Sequence, residues 1–369
     1  MTKLDENNKK VALNFSCIDP YVSTNIVDST EKEVRGYDWI SWGEKNDYAD
    51  YLLKLYKNVP VLQSIINGCV DYTTGDDAWL TIEPFNKYVN NKKETINTLL
   101  KQIAFDYWMY GAFAINVVRN KLGKIAGLYY LNVRNIRSDK KNERFWYSDD
   151  WAKSWGRIKF IEYPKYNPDS KSVNSILYVK NGWNTVYGVP VYSAAAKAAE
   201  IMKSVDDYQL NAINNGFMAS YIINFNNGQP EKNVQQEIED ELNEKFCGYE
   251  NSSRLMVAFN KSKDNEVTIN KLDQNDDFGD RYKTLIDWTQ QQIFTSFRAN
   301  PVLFGMPSEK TGLNDNDILE SYKLFNRCMI TPVQRLLCDT FAGLFGEEVL
   351  TIKPFTVNFG KEEKQTVVE

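Results

Sequence analysis

A single thin apolar stripe over residues 190–216 limits how this chain can fold. Ala194, Ala198, Ile201, Val205, Tyr208 and Ala212 follow one another at spacings of 4, 3, 4, 3 and 4, the period of one helix face. Pro190 suits a first helical turn, and Asn214-Asn215-Gly216 makes a C-terminal stop. The 27 positions from 190 to 216 would span ~40 Å. Alanine makes up half of the stripe, so a neighbouring element can approach closely. That neighbour is either part of the same chain or a helix of another subunit, and periodicity does not separate the two.

A second stripe runs over 278–298, with Tyr282, Ile286, Thr289, Ile293 and Phe297 on one side and a stop at Asn300-Pro301. Between the two helices, 217–277 reads as a small α/β insert. Tyr221–Phe225, Arg254–Phe259 and Val267–Leu272 are its strands, and Pro230 opens an acidic helix through Phe246. After the second helix, 300–314 holds two prolines and two glycines and is expected to be irregular. A last helix then starts from Asn314 as N-cap, with Asp317 three positions on. It runs to about Phe345 with a kink at Pro332. One strand (Val349–Phe359) and a charged tail follow.

Upstream, 1–45 is mixed and polar, an arm with little regular structure. Helices fit 46–70, with a break at Pro60, and 94–110, stopped by Gly111. Phe113–Arg119 and Lys124–Leu131 form a hairpin. Residues 119–171 carry thirteen Lys/Arg against six Asp/Glu, interleaved with aromatics such as Tyr129, Phe145, Trp146, Trp151 and Trp155. Two readings fit this block: a nucleic-acid surface, or a β-rich lobe whose aromatics fill its own core.

Composition removes much chemistry. Of 369 residues none is histidine, which excludes Ser-His-Asp and Cys-His catalysis, His-ligated metals and histidine switches. The five cysteines form no C-x-x-C pair, so reduced thiols in an intracellular protein are expected. The polar first ten residues carry no secretory signal, and no apolar run reaches the ~18–20 residues of a membrane helix. The net charge of −5 disfavours a surface that binds nucleic acid throughout.

Two segments invite a chemical reading. Asp273, Asp276, Asp277 and Asp280 would suit a metal-dependent nuclease. They depart from the calcium-loop pattern at Phe278 and Thr284, and they also fit as first-turn acids of the following helix. Gly305–Gly312 lacks the order of a phosphate loop, because Lys310-Thr311 precede the second glycine. No catalytic constellation is assembled, and neither cofactor nor metal is expected.

The order of parts, and five local motifs, resemble the portal (head–tail connector) proteins of tailed bacteriophages. "VYGVP" (Val186–Pro190) resembles the motif before the first stem helix, and "NNGFMASYIINF" (Asn214–Phe225) the exit from that helix. "FCGYENSSRLMVAF" (Phe246–Phe259) is similar to the clip that follows. "ANPVLFGMPSEKTGLND" (Ala299–Asp315) is similar to the turn and tunnel loop, and "ITPVQRLL" (Ile330–Leu337) to the proline-bearing final helix.

The resemblance implies an α+β fold: arm 1–45, mixed α/β wing 46–187, first stem helix 188–216, clip 217–277 and second stem helix 278–299. Tunnel loop 300–314, kinked helix 315–346 and a short strand and tail at 347–369 would complete it, with the crown reduced or absent. It implies a non-enzymatic ring, typically of twelve subunits, made in the host cytoplasm and placed at one capsid vertex of the virion. Double-stranded DNA would pass through it during packaging and ejection. The terminase large subunit, the major capsid protein and a head–tail adaptor protein would be its partners, with no membrane involved. By the same resemblance, Met306, Pro307, Ser308, Glu309, Lys310, Thr311 and Gly312 face DNA. Ala194, Ala198, Ile201, Val205, Tyr208 and Ala212, with Tyr282, Ile286, Ile293 and Phe297, pack the stem. A different viral assembly protein without a channel is the structural alternative.

Overall fold

The computed structural model describes residues 27–151 except 28, 158–182 except 171, and 184–214. It also describes 221–225, 255–259, 278–306 and 315–356. The first described elements are two short antiparallel strands, β1 (Glu31–Glu33) and β2 (Ile40–Trp42). They hold six residues of the segment expected to be an arm with little regular structure. Three-residue strands are too short to show a period in sequence, and they hold here because Trp39 and Trp42 are buried in the body of the protein.

Helices α1 (Tyr48–Asn58) and α2 (Pro60–Thr74) divide at Val59. Pro60 stands in the first turn of α2, where its missing N–H costs nothing. Strand β3 (Asp77–Leu80) leads to α3 (Ile96–Tyr110), which starts at a Thr95 side-chain cap and ends at Gly111 in the left-handed region. Then come β4 (Ala112–Arg119) and β5 (Ile125–Leu131), paired antiparallel as a hairpin.

Further on lie β6 (Ile136–Ser138), β7 (Arg144–Tyr147), β8 (Ile161–Pro164) and β9 (Asn174–Lys180). They close two three-stranded sheets, ordered β5-β4-β9 and β6-β7-β8. The aromatics of the basic block largely serve this lobe. Phe145, Trp146 and Trp151 are buried, and Trp39 meets Trp151 at 5.0 Å, edge to face. Trp155 lies outside the described residues.

The remaining described residues are mainly helical: α4 (Ala196–Asn214), α5 (Phe278–Ser296), α6 (Asp315–Phe325) and α7 (Thr331–Phe345). Between α4 and α5, β10 (Tyr221–Phe225) and β11 (Leu255–Phe259) pair in parallel. The other expected insert elements, a helix from Pro230 to Phe246 and a strand at Val267–Leu272, lie outside the described residues, as does the Asn314 cap. Strand β12 (Leu350–Lys353) closes the fold antiparallel to β3. It is shorter than expected and stops before Pro354, which has no N–H to give a ladder.

Strand β4 divides the interior. Ala112 and Ala114 face the larger core, shared with α1, α2, α4 and α5. Phe113, Ile115 and Val117 face a second core, shared with β3, α7 and β12. The alternation of a strand thus serves two cores at once, which explains why β4 is apolar on both faces. Helix α3 does the same with Trp108 and Met109 on one side and Leu99 and Ile103 on the other.

The expected kink at Pro332 takes a specific form. Asn326–Ile330 is a π-helical turn, and the N–H of Thr331 bonds the carbonyl of Asn326, five residues back. The turn absorbs one extra residue just before a proline that has no N–H to offer. Downstream, the Gln334 amide donates to the carbonyls of Tyr72 (3.3 Å) and Thr73 (3.0 Å), satisfying acceptors that the end of α2 leaves free.

Asp106 on α3 is 0% exposed. It accepts from the Val133 N–H at 2.8 Å and the Tyr130 hydroxyl at 3.1 Å. Burial pushes its carboxyl up to about 8 from 3.8, against the opposing pull of those two bonds. The native state therefore holds a proton that the unfolded chain releases, and stability falls as pH rises from about 4 to about 8. Asp106→Asn should flatten that part of the profile, measured by denaturant unfolding at pH 4 to 8; an unchanged slope would assign the pH dependence elsewhere.

Candidate functional site

Helices α4 and α5 lie antiparallel. Tyr192, just before α4, stacks on Phe297 at 5.5 Å, and Tyr208 stacks on Tyr282 at 5.5 Å. The two contacts are 16 residues apart on one side and 15 on the other, so the pair stays in register over ~23 Å.

Of the stripe residues, Ala198 and Val205 are buried, while Ile201 and Tyr208 are half-buried. Ala194 is exposed and sits in a short 3-10 turn, Ser193–Ala195. Ala212 belongs to α4, but its side chain lies outside the described residues. On α5, Ile293 is buried and Tyr282 and Ile286 are half-buried; Phe297, just past its end, is buried.

Ala195, Ala199 and Met202 are also buried, and the sequence reading missed them. The segment Ala194–Ala199 is alanine at five of six positions, so two adjacent stripes look alike and periodicity has no contrast to choose between them. The solvent sides carry Asp206, Asp207, Gln209 and Leu210 on α4, and Asp287, Trp288, Gln291 and Gln292 on α5. Leu210 and Trp288 are large apolar side chains at 58% and 49% exposure.

The helix expected from 190 begins at Ala196 instead. What delays it is the preceding segment, which carries the VYGVP motif. The Val189 N–H donates to the Asn181 carbonyl (2.8 Å), and the Asn181 amide returns a bond to the Val189 carbonyl (3.1 Å). Gly188 lies on Gly111: a Cβ at Gly188 would stand 2.4 Å from Gly111 backbone atoms, and one at Gly111 would stand 2.3 Å from the Val189 carbonyl carbon.

Beside this crossing the Tyr187 ring stacks on Trp42 at 4.6 Å. Its hydroxyl donates to the Ile40 carbonyl and accepts from the Ser138 N–H at 3.1 Å. The Glu31 carboxylate receives the N–H groups of Val186 and Tyr187, both at 2.9 Å. Such charge-assisted bonds are stronger than neutral ones.

Arg137, only 1% exposed, completes the junction. Its guanidinium donates to the carbonyls of Arg134 (2.9 Å), Ile136 (2.8 Å) and Asn46 (2.9 Å), and to the Asn46 side chain. It lies 4.9 Å from the Trp151 ring centre and 5.8 Å from that of Trp42. Burial lowers its pKa to about 10, which leaves it charged at neutral pH. Carbonyls and ring faces carry that charge in place of a carboxylate.

At the far end of α5 the chain is more regular than expected. Pro301–Phe304 is a 3-10 turn capped by Asn300, whose side chain accepts from the Val302 N–H at 3.2 Å. Phe304 is buried, and a Cβ at Gly68 of α2 would come within 2.7 Å of its ring. The Ser64 hydroxyl donates to the Phe304 carbonyl at 2.9 Å, and the Asn300 amide to the Ser321 hydroxyl at 3.0 Å. Met306 packs against the larger core. Pro307, Ser308, Glu309, Lys310, Thr311 and Gly312 lie outside the described residues.

Asp273, Asp276 and Asp277 also lie outside them, and Asp280 is in the first turn of α5. Among the described residues no cluster of acids or cysteines could hold a metal ion, and no helix is long and apolar enough to cross a membrane.

Substitution at two glycines of this protein should act with opposite sign. Gly188→Ala should cost ~1–3 kcal/mol, because the added methyl meets backbone that cannot turn aside. Gly343→Ala, inside α7 with nothing near the added atom, should gain up to ~1 kcal/mol of helix propensity. Thermal unfolding of the two variants checks both; equal effects would show that the crossing is not tight.

Several solved structures share the fold. The neck of an empty gene transfer agent particle, computed with C6 symmetry, matches at TM-score 0.54 and 16% identity, covering 83% of this chain and 84% of that one. The neck of the native particle with C12 symmetry matches at 0.52 and 17%, covering 82% and 83%. The virion of the native particle matches at 0.52 and 15%, covering 84% and 83%. No curated protein matches the chain. The sequence model of the phage portal protein family matches residues 70–360, from the second half of α2 past β12. That stretch takes in the glycine crossing, both stripe helices and the turn at Phe304, and the chain therefore belongs to the phage portal protein family, a structural, non-enzymatic component of the capsid.

Proposed function

We propose that this protein forms a homo-oligomeric ring at one vertex of a phage capsid and that the ring is the channel for genome packaging and ejection. The family match over 70–360 carries the proposal. A neck related in fold was computed with C12 symmetry, which supports twelve subunits. In this reading 46–187 is the wing, 188–216 and 278–299 are the stem, 217–277 is the clip, 300–314 is the tunnel loop, and 347–369 is a minimal crown. The terminase large subunit, a head–tail adaptor and the major capsid protein are its partners.

Two structural features support the role. An antiparallel helix pair with a narrow buried seam leaves broad sides free for neighbouring subunits, and Leu210 and Trp288 are apolar groups suited to that contact. The solvent sides carry three acids (Asp206, Asp207, Asp287) and three glutamines (Gln209, Gln291, Gln292) against Lys197, Lys283 and Arg298. A conduit gains from this balance. Each phosphate neutralised by a cation adds salt-dependent affinity, and a tight grip would stop DNA from sliding.

Native mass spectrometry or negative-stain microscopy should show rings; a monomer or dimer at high concentration at every salt tested would overturn the reading. Shortening 306–312 should leave rings intact and impair packaging or retention of DNA. Unchanged packaging would remove the loop's role.

A further inference from the structure

The junction where the chain enters and leaves the 300–314 loop is organised by a residue of neither segment. Tyr72 of α2 meets four aromatic rings edge-on: Phe304 (6.0 Å), Tyr322 (5.4 Å), Phe325 (6.2 Å) and Phe355 (5.0 Å). Its hydroxyl donates to the Leu303 carbonyl at 3.0 Å. Phe304 lies in the turn that begins the loop, Tyr322 and Phe325 follow the loop on α6, and Phe355 comes from the chain just past β12. One ring therefore joins four segments, two of them the footings of the same loop.

The contact from Phe355 has the form of a latch. It lies beyond the last paired strand residue, Lys353, so no ladder bond holds it. Three local bonds do. The Thr356 hydroxyl and N–H donate to the Asp76 carboxylate at 2.7 Å and 3.3 Å, and the Tyr322 hydroxyl donates to the Phe355 carbonyl at 2.9 Å. Phe355 is half-buried and Thr356 is exposed. A surface contact of this size can open without unfolding either core.

On the other side, α7 is fixed. Leu337 and Phe341 are fully buried, and Gln334 is tied to the end of α2. Between fixed α7 and latched α6 lies the π turn Asn326–Ile330. The one-residue surplus of a π turn can be redistributed along a helix, and such turns concentrate at functional places.

We propose that Tyr72 is a positioning residue that sets the stance of α6 and the Pro301–Phe304 turn, that Phe355–Thr356 is the latch holding this stance, and that the π turn is the joint about which α6 moves when the latch opens. The use of that stance, to present the 300–314 loop to DNA, rests on the channel reading above; the coupling itself does not.

Amide hydrogen exchange on the full chain tests the coupling. Phe355→Ala should speed exchange about tenfold in 302–306 and 316–325, with α3 and the second half of α7 unchanged. Tyr72→Phe, which keeps the ring and removes only the hydroxyl, should speed 302–306 and leave α7 unchanged. Thr356→Val should act on 316–325 in the same direction as Phe355→Ala. Unchanged exchange in both footings, or an equal rise in α7, overturns the proposal. If Phe355→Ala does not fold, Phe355 is a core residue rather than a latch, and the proposal fails. Ring formation by the same variants is scored separately. Absence of rings in the unaltered protein would count against the channel reading, while the exchange map would still decide the coupling.

Discussion

Two backbone segments cross at Gly111 and Gly188 with no room for a methyl group on either, and the arrangement of the whole protein depends on that approach. Gly111 ends α3 and begins β4, the strand between the two cores. Gly188 lies in the segment that leads into α4. Their contact fixes how the long helix pair leaves the mixed α/β body. Everything nearby reinforces one geometry: the Glu31 carboxylate on two N–H groups, the Tyr187 ring on Trp42, and paired bonds between Asn181 and Val189. A methyl at either glycine pushes against main chain, which can yield only by moving a whole element.

The polar groups around this crossing follow from its burial. Arg137 keeps its charge because carbonyls and aromatic faces replace water, and the chain supplies them from three separate segments. Asp106 has no such cation beside it and keeps its proton instead. Both outcomes obey one rule: a buried ionisable group takes the charge state that its immediate partners can support. Neither group does chemistry, in keeping with a structural family. The complete lack of histidine is compatible with that role and has no structural explanation of its own.

Much of the order of elements was legible in advance, in particular residues. Pro60 split α1 from α2, Gly111 stopped α3, and the 278–298 stripe became α5 within two residues. Motif order points to the family from sequence alone, because five short segments in the right sequence are more specific than any one of them. Less could be read near the ends of elements. The alanine run at 194–199 hid which stripe faces inward. The hairpin at Glu31–Trp42 was too short to display a period. The π turn before Pro332 appeared only as a kink, since a proline announces a broken ladder but not how the break is repaired.

The sequence by itself determined the secondary elements, their order and the absence of histidine chemistry, since these depend on neighbours a few residues apart. Tertiary structure alone decided that Glu31 would bind the VYGVP backbone, that Gly188 would meet Gly111, and that Tyr72 would gather rings from positions 304, 322, 325 and 355. Those contacts join residues 77 to 283 positions apart. No local pattern records them, because they exist only once two cores have packed against one shared strand and brought distant backbone within reach.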